Sequence, residues 1–381
     1  MRKSAAMHCR VLSFTAACAA LLLLAACAGV PARGSVAGQT LETRVDSEIA
    51  RYFLTNYLAG KRGDARLDAR IDRIYRNGHG GLPERAQLKR LSDDFSTDFA
   101  ALYFADRVGQ SAGNRDLRNE FNRTLARLRG NFFHGHTQLP PGAATYEFIL
   151  VPGYLYERHG FTGADLAAPR AALDRLGFVH HFIATVEDGA VERNAAIVAE
   201  AIRGRSSQGR RLIVVSVSKS GPEVALALTR LGEADSRQVA AWVNIVGTLQ
   251  GSALADDGLL QLQDWVGRVD IAGVESLTTQ HSRERFRSFR IPAHVLVVNY
   301  IGIPLAADVS LLARSGFLQL KEHGPNDGLS LLPDLLVPGA LTLAEIGRDH
   351  FLLDDQVDAT TAALALTLIR RLEPRRIGGG L

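Results

Sequence analysis

Hydrophobic spacing along the chain changes near residue 140. Before that point apolar side chains recur every three or four positions, as at Val45, Ile49, Phe53 and Tyr57. This period places them on one face of a helix, so residues 41–139 are predicted to form three or four amphipathic helices. The segment has no reactive side chains at a telling spacing. We interpret it as a helical subdomain packed on the rest of the chain, with a lid or a membrane-facing role as the alternative.

After Pro140-Pro141-Gly142, short β-rich runs alternate with helical ones. The predicted strands are 145–151, 178–186, 211–217, 239–246, 291–300 and 341–346. The predicted helices lie near 164–176, 190–204, 221–232, 307–320 and 356–372. Because the strands are apolar on both faces, the pattern predicts an α/β domain over 140–381 with a doubly wound, mostly parallel sheet. Residues 249–288 break the rhythm and are expected to form a small cap over the sheet edge.

The first 26 residues have a third pattern. Residues 1–10 are basic and residues 11–26 are apolar, which is typical of a secretory signal peptide. The apolar run is too short to span a membrane comfortably. It ends in Leu24-Ala25-Ala26-Cys27, which resembles the lipobox of bacterial lipoproteins, where the cysteine is acylated and becomes the new N-terminus. Residues 1–26 are therefore predicted to be a signal peptide and Cys27 the site of lipidation.

The cysteine content agrees with a lipoprotein. All three cysteines lie in this leader region, at Cys9, Cys18 and Cys27, so cleavage before Cys27 leaves one thiol. A mature chain without a spare thiol suits an oxidising compartment, because nothing can mispair. The residues after the cysteine are Ala28 and Gly29 rather than Asp, which by resemblance implies the outer membrane of a bacterial cell envelope.

The segment 28–40 is rich in Gly, Ala and Ser, so residues 27–40 are predicted to be an acylated cysteine followed by a flexible tether. Ordinary cleavage at a small-residue site, with a soluble secreted product, is the alternative.

Net charge argues against nucleic acid as a partner. The formal charge is +4, from 44 basic and 40 acidic residues, and Arg2, Lys3 and Arg10 belong to the leader. Without those three the chain has 41 basic residues against 40 acidic ones. Binding to a phosphate backbone needs a concentrated positive surface, which a nearly neutral body does not predict.

The stretch from Arg211 to Leu228 predicts a nucleophile. An apolar strand runs into a serine-rich turn and then a helix, the context of a nucleophile elbow, whose tight turn accepts only small residues two before and two after the nucleophile. Ser218 has Ser216 and Ser220 at those positions, whereas Ser216 would have Val214 before it and Ser220 would have Pro222 after it. Ser218 is therefore the best candidate. The alternative is that three alternating serines merely line one face of a strand end.

The order of further motifs resembles that of bacterial lipases and esterases of the α/β-hydrolase fold over about residues 145–372. The corresponding stretches are Val151-Pro152-Gly153-Tyr154, Ser218-Lys219-Ser220-Gly221-Pro222, Gly247-Thr248-Leu249-Gln250-Gly251-Ser252, Gly324-Pro325-Asn326-Asp327-Gly328-Leu329 and Asp349-His350-Phe351. The departures are Pro152 in place of His, Ser216 and Ser220 in place of glycines, and Leu249-Gln250 in place of Pro-His.

The resemblance implies a Ser-His-Asp triad made of Ser218, His350 and Asp327, in the chain order that the fold requires. His350 follows the last apolar strand and precedes the terminal helix. Asp327 lies in an Asn-Asp-Gly turn that can project a carboxylate. Asp308 and Asp334 are the competing acids, Asp308 explained by N-capping of a helix and Asp334 by a cap or a turn.

An oxyanion hole needs two positioned N–H donors. The backbone N–H of Lys219 is the first candidate, and by resemblance that of Tyr154 is the second. The Lys219 side chain is predicted to be solvated at the surface, with attraction of an anionic substrate as the alternative. Such lipases often bind calcium through an aspartate two residues beyond the histidine. That position is Leu352 here, so no metal and no cofactor is expected.

Together these features predict a membrane-anchored serine hydrolase that cleaves carboxylic esters, with a lipid or another hydrophobic ester as the substrate. One alternative keeps the fold and changes the bond to an amide or a thioester. The other is a non-catalytic envelope lipoprotein on a degenerate hydrolase scaffold.

Overall fold

A computed structural model describes residues 29–78, 81–131, 137–206, 209–257 and 270–373. The predicted signal peptide, Cys27 and residues 258–269 of the predicted cap lie outside the described residues. None of the helices in the described ranges is both long and apolar enough to cross a lipid bilayer.

The described chain opens with an antiparallel hairpin of β1 (Val30–Val36) and β2 (Gln39–Val45). The prediction of a flexible tether is therefore wrong from residue 30 onward. Burial alternates along β1, with Ala32 and Val36 buried, and a Cβ on Gly34 would lie 2.3 Å from the backbone oxygen of Leu54. The small residues that suggested flexibility instead let the strand pack closely on the backbone of a neighbouring helix.

Between the hairpin and Asn131 the described residues form five α-helices, where the sequence predicts three or four. They are α1 (Glu48–Tyr52, continued by a π-helical turn over Phe53–Tyr57), α2 (Ala65–Asn77), α3 (Arg85–Asp94), α4 (Thr97–Gln110) and α5 (Ala112–Asn131). Side-chain oxygens of Ser47, Asp64 and Ser96 accept hydrogen bonds at the N-termini of α1, α2 and α4. Helices α1 to α4 bury their apolar faces against each other and against the last two strands of the main sheet, whereas α5 belongs to the core on one face of that sheet.

Six parallel strands form the main sheet, in the order β4-β3-β5-β6-β7-β8. They are β3 (Tyr146–Val151), β4 (Val179–Phe182), β5 (Arg211–Val217), β6 (Val239–Ile245), β7 (Leu296–Ile303) and β8 (Leu341–Ile346). The predicted strand 291–300 is displaced, because Val295 N–H donates to Pro292 O and closes a turn before β7 begins. A mostly parallel sheet flanked by helices is confirmed.

Helices cover both faces of this sheet. The helices described after β3 are α6 (Ala167–Arg175), α7 (Val191–Ser206), α8 (Ser220–Asp235), α9 (Ala253–Asp256), α10 (Ile271–Glu275), α11 (Thr279–Ser288), α12 (Arg314–Leu320) and α13 (Val357–Leu372). Alternate residues of β3 point to opposite cores. Phe148 and Leu150 pack with α5, α6 and α13, whereas Ile149 and Val151 pack with α7 and α8.

The N-terminal hairpin and helices cover the open edge at β8. The Gln39 side chain donates to Ala344 O (2.7 Å) and accepts from Ile346 N–H (3.3 Å), and Asn114 Oδ1 accepts from Thr342 N–H (2.8 Å). These side chains take the hydrogen bonds that a seventh strand would otherwise make. The edge is thereby closed to pairing with another chain.

Asp98 at the start of α4 ties the hairpin to the carboxyl end of the sheet. Its carboxylate accepts from Asp46 N–H (2.7 Å), directly after β2, and from Ala306 N–H (2.9 Å), shortly after β7. The open end of the hairpin, where Val30 pairs with Val45, therefore lies near the ends of the strands from which the site is built.

Candidate active site

Ser218 lies in a sharp turn between β5 and α8. Its backbone is left-handed, with φ of +57°, an uncommon conformation for a residue with a side chain. The turn packs tightly on the end of β6, since a Cβ on Gly221 would lie 2.7 Å from Gly247 Cα. A strand, a strained turn and a helix with close backbone packing is the geometry of a nucleophile elbow.

The two flanking serines are buried and hydrogen-bonded. Ser216 Oγ accepts from Trp242 Nε1–H (2.8 Å). Ser220 Oγ accepts from Val217 N–H (2.8 Å) and donates to Val151 O (2.8 Å). Each hydroxyl thus has a partner at a position where the resembling enzymes carry glycine. Of the three serines Ser218 is the one that lines the neighbouring cavity.

The structure brings Ser218, His350 and Asp327 together. The Ser218 hydroxyl donates to His350 Nε2 (2.9 Å), and His350 Nδ1–H donates to Asp327 Oδ2 (2.7 Å). His350 stands in the loop after β8, and its backbone N–H donates to Asp327 O (2.8 Å), which adds a second link between the two loops. The imidazole can thus accept a proton from the serine while the carboxylate fixes its tautomer and orientation.

Asp327 is fully buried in a tight loop that holds its carboxylate rigidly. Its Oδ1 accepts from Leu329 N–H (2.9 Å) and Ser330 N–H (2.8 Å), which leaves Oδ2 for the histidine. Gly328 has φ of +102°, and a Cβ there would lie 2.6 Å from Ala313 Cβ. The predicted Asn-Asp-Gly turn is thus both the local structure and the means of aiming the carboxylate.

The competing aspartates have other partners. Asp308 accepts from the Thr43 hydroxyl (3.0 Å) and does not cap a helix, because α12 begins only at Arg314. Asp334 is buried and accepts from Arg85 Nε (2.8 Å). Asp349 accepts from the backbone N–H of Ser310 (2.7 Å). In the described chain none of the three is hydrogen-bonded to His350.

Two backbone N–H groups beside Ser218 are candidate donors to an oxyanion. Within the described residues, neither the N–H of Lys219 nor that of Tyr154 donates to another protein group, whereas the neighbouring Gly153 N–H donates to Ala164 O (2.9 Å). A Cβ on Gly153 would lie 3.5 Å from Ser218 Cβ, so this glycine lets the Tyr154 loop approach the nucleophile closely.

Both predictions for the Lys219 side chain are wrong, because the ammonium is neither solvated at the surface nor open to an anionic substrate. Lys219 is 2% exposed, and its ammonium donates to the carboxylate of Glu223, which is 1% exposed. The i, i+4 spacing on α8 indicates this pair, although it does not indicate burial.

An apolar cavity of about 340 Å³ opens beside Ser218 and His350. Its wall is formed by the loop after β3, the start of α6, the loop after His350 and the start of α13, with side chains that include Phe161, Leu166, Leu352, Val357 and Leu364. Leu352, at the position where the resembling lipases carry a calcium aspartate, is part of this wall. Within the described ranges no group of three or more His, Cys, Asp or Glu side chains is placed to hold a metal ion.

The residues of the predicted cap that the structure describes include Ala255, Val274 and Leu277, which form a small apolar cluster packed against Tyr154. Ser252 N–H donates to Leu277 O (3.0 Å), and Arg285 pairs with Glu192 at the start of α7 (2.6 Å). Gln250 accepts from Arg85 of the N-terminal helices (2.9 Å).

The chain matches no protein-family model and no curated protein sequence. It is similar to the solved structure of the metagenomic carboxyl esterase MGS0156, with 20% identity, 67% of this chain and 90% of that chain covered, and a TM-score of 0.54. The mature lipase BlEst2 of Bacillus licheniformis is 23% identical, with 56% and 88% of the two chains covered and a TM-score of 0.46. The fold is that of the α/β-hydrolases.

Proposed function

We propose that the protein is a serine hydrolase that cleaves carboxylic esters carrying a hydrophobic acyl group. The observation that supports this most directly is the continuous hydrogen-bonded series from Ser218 through His350 to Asp327, at the mouth of an apolar cavity. Ser218 is the nucleophile, His350 is the general base, and Asp327 supplies the carboxylate that orients the imidazole.

In the first half of the reaction, Ser218 Oγ bonds to the carbonyl carbon while its proton moves to His350 Nε2. The carbonyl electron pair moves onto oxygen, where the N–H groups of Lys219 and Tyr154 bind the negative charge. The tetrahedral intermediate then collapses, the bond to the alcohol oxygen breaks, and His350 returns its proton to that oxygen. Water attacks the acyl-enzyme in the same way and releases the acid.

The apolar cavity supports the choice of acyl group. Apolar residues, among them leucine, valine, phenylalanine, isoleucine, alanine and proline, form most of its wall, so an alkyl chain loses contact with water there. The substrate class therefore consists of esters with an aliphatic acyl chain.

A fluorophosphonate probe tests the proposal, because only an activated serine reacts with it. The wild-type protein is expected to be labelled, and Ser218→Ala is expected to lose the label completely. Ser216→Ala is the matched control, since that hydroxyl is buried against Trp242 and labelling should persist. A wild-type protein that stays unlabelled would favour the alternative of a non-catalytic protein on a degenerate hydrolase scaffold.

The type of bond is tested with three substrates that share one acyl group, as an ester, a thioester and an amide. We expect the ester to be turned over fastest. Higher kcat/KM for the thioester or the amide would assign the protein to the corresponding class of the same fold.

We further infer that the mature protein is attached to the bacterial envelope through acylated Cys27. The lipobox-like Leu24-Ala25-Ala26-Cys27 and the lack of any later cysteine support this inference. Two or three acyl chains would hold the protein stably at a membrane.

A further inference from the structure

The buried pair of Lys219 and Glu223 belongs to a larger polar cluster beneath the elbow. Asn194 of α7 is fully buried and donates through Nδ2 to the Glu223 carboxylate (2.8 Å). The same amide binds both backbone groups of Val186, because its Oδ1 accepts from Val186 N–H (3.1 Å) and its Nδ2 donates to Val186 O (2.9 Å). Asn194 therefore links α8 to the loop after β4.

That loop in turn holds the Tyr154 loop. Glu187 O accepts from Leu155 N–H (3.1 Å), and Thr185 O accepts from the Tyr156 hydroxyl (3.0 Å). The Glu187 carboxylate also accepts from Arg158 Nε (2.6 Å). A continuous hydrogen-bonded path thus runs from the residue after Ser218 to the residue after Tyr154.

Stability alone does not account for this cluster. Taking two charges out of water costs free energy that their attraction barely offsets, and apolar residues of the same size are often as stable or more so. Burial raises the pKa of Glu223, and the contacts with Lys219 and Asn194 counteract that rise. The cluster also lies directly beneath the two free donors, where small displacements matter most to the reaction.

We propose that Asn194 and Glu223 are positioning residues that fix the distance between the backbone N–H groups of Lys219 and Tyr154. Glu223 anchors the α8 side and Asn194 the loop side, and Lys219 holds the Glu223 carboxylate toward Asn194. Neither residue contacts the reacting atoms. Their effect is on the oxyanion, which needs both donors at hydrogen-bond distance in the transition state. This inference rests on the proposed hydrolase function.

Asn194→Ala is the central variant. It cuts the link between α8 and the loop after β4 without adding a charge. We expect kcat to fall roughly 10- to 100-fold, with KM changed by less than about twofold, because the loss concerns the transition state and not the bound ester. The inhibition constant of a trifluoromethyl ketone, whose adduct with Ser218 carries an oxyanion, should rise in proportion to the fall in kcat/KM.

Two double variants separate the effect of the hydrogen bond between Asn194 and residue 223 from the effect of the two charges. Lys219→Met with Glu223→Gln removes both charges and leaves an amide oxygen to accept from Asn194, so it is the charge-free reference with which the kcat of the second double variant is compared. Lys219→Met with Glu223→Leu removes the acceptor as well, so kcat should fall as in Asn194→Ala. Both keep the backbone N–H of residue 219.

Asn114→Ala is the matched control for lost stability. Asn114 also joins two segments through backbone hydrogen bonds, to Val108 O (3.0 Å) and Thr342 N–H (2.8 Å), but at the amino end of β8, away from the site. Its melting temperature should fall while kcat and the ketone inhibition constant stay unchanged. If Asn194→Ala also changes only the melting temperature, the positioning role is refuted.

The two proposals fail in different ways. A wild-type protein that neither reacts with the fluorophosphonate nor cleaves an ester overturns the hydrolase proposal, and the positioning role with it. A wild-type protein that reacts normally, beside an Asn194→Ala variant with unchanged kcat and ketone affinity, overturns the positioning role alone.

Discussion

Asp327 differs from the neighbouring aspartates because its local hydrogen bonds use one carboxylate oxygen and leave the other for His350. Leu329 and Ser330 N–H occupy one oxygen, and the other meets His350. In Asp327→Asn the amide nitrogen cannot accept the histidine proton, so the imidazole would adopt the wrong tautomer. We expect kcat to fall by roughly 10³ to 10⁴ with the fold retained, measured by steady-state ester hydrolysis and circular dichroism.

Asp308→Asn and Asp334→Asn are the controls for this prediction. Both aspartates are partly or fully buried, but their partners are Thr43 and Arg85. These variants should lose some stability and retain most of the turnover. Near-normal activity of Asp327→Asn beside an inactive Asp308→Asn or Asp334→Asn would move the acid elsewhere.

Asp98 makes the stability of the protein depend on pH. Burial, followed by the nearby charge of Asp46, raises the pKa of Asp98 from its ordinary 3.8 to about 7. Between those values the folded state binds a proton that the unfolded state has released. The free energy of unfolding therefore decreases as pH rises through this window, and the loss is complete above the folded pKa.

The Asp98→Asn variant has no such proton, so its free energy of unfolding should decrease less between about pH 5 and about pH 8. Urea unfolding of the two proteins across that range measures the difference. Carboxylates elsewhere are shared by both proteins and cancel in the comparison. Parallel curves for the two proteins would show that Asp98 is already ionised at low pH.

Ser218, His350 and Asp327 could be predicted together because each lies in a short motif, and the order of these motifs resembles that of bacterial lipases and esterases. Asn194 and Glu223 carry no such signal. They are 29 residues apart on different helices, and an Asn or Glu side chain is ordinarily solvated. Their burial depends on how α7 and α8 pack, which is a tertiary property.

The elbow and the end of β6 approach each other so closely that a side chain at Gly221 does not fit between them. A Cβ on Gly221 would lie 2.8 Å from Asn244 Oδ1 as well as against Gly247. Gly221→Ala should therefore lower the free energy of unfolding by about 1–3 kcal/mol, measured by urea unfolding, and reduce kcat because Ser218 is displaced.

Gly204→Ala in α7 is the comparison, because among the described residues a Cβ there would meet no atom within 4 Å outside the neighbouring helix backbone. It should raise stability by about 0.5–1 kcal/mol through higher helix propensity, with unchanged kcat. Equal stability changes for the two glycines would mean that close packing at the elbow is not required.

Helices and strands were predicted best where the hydrophobic period and the length of the apolar run indicated the same kind of element. Runs such as 341–346 are short, apolar and bounded by turn residues, and β8 occupies the same residues. The hairpin was missed because Ala32 and Gly34 are small, so the period-two alternation carried little hydrophobic contrast. β7 begins later than predicted because the residues before it, although they continue the apolar run, form a turn at Pro292.

At the scale of the whole molecule, lipidation is predicted to determine where the protein resides. Cys27→Ala should block acylation, so the protein is expected to leave the membrane fraction or to accumulate unprocessed. Fractionation with immunoblotting, together with metabolic labelling by an alkyne fatty acid, measures this. Ser218→Ala serves as the control that should fractionate like the wild type. Equal membrane association and processing of Cys27→Ala would refute the anchor.

The hairpin decides how such an anchored protein would face its surroundings. Only two residues separate Cys27 from Val30, a reach of about 10 Å when fully extended, so the body could not swing freely above the lipid. Val30 pairs with Val45 near Asp98 and Ala306, at the same end of the sheet as Ser218. Acylation would then hold the carboxyl end of the sheet, where Ser218 lies, close to the bilayer surface, and would favour esters within lateral reach of the anchor.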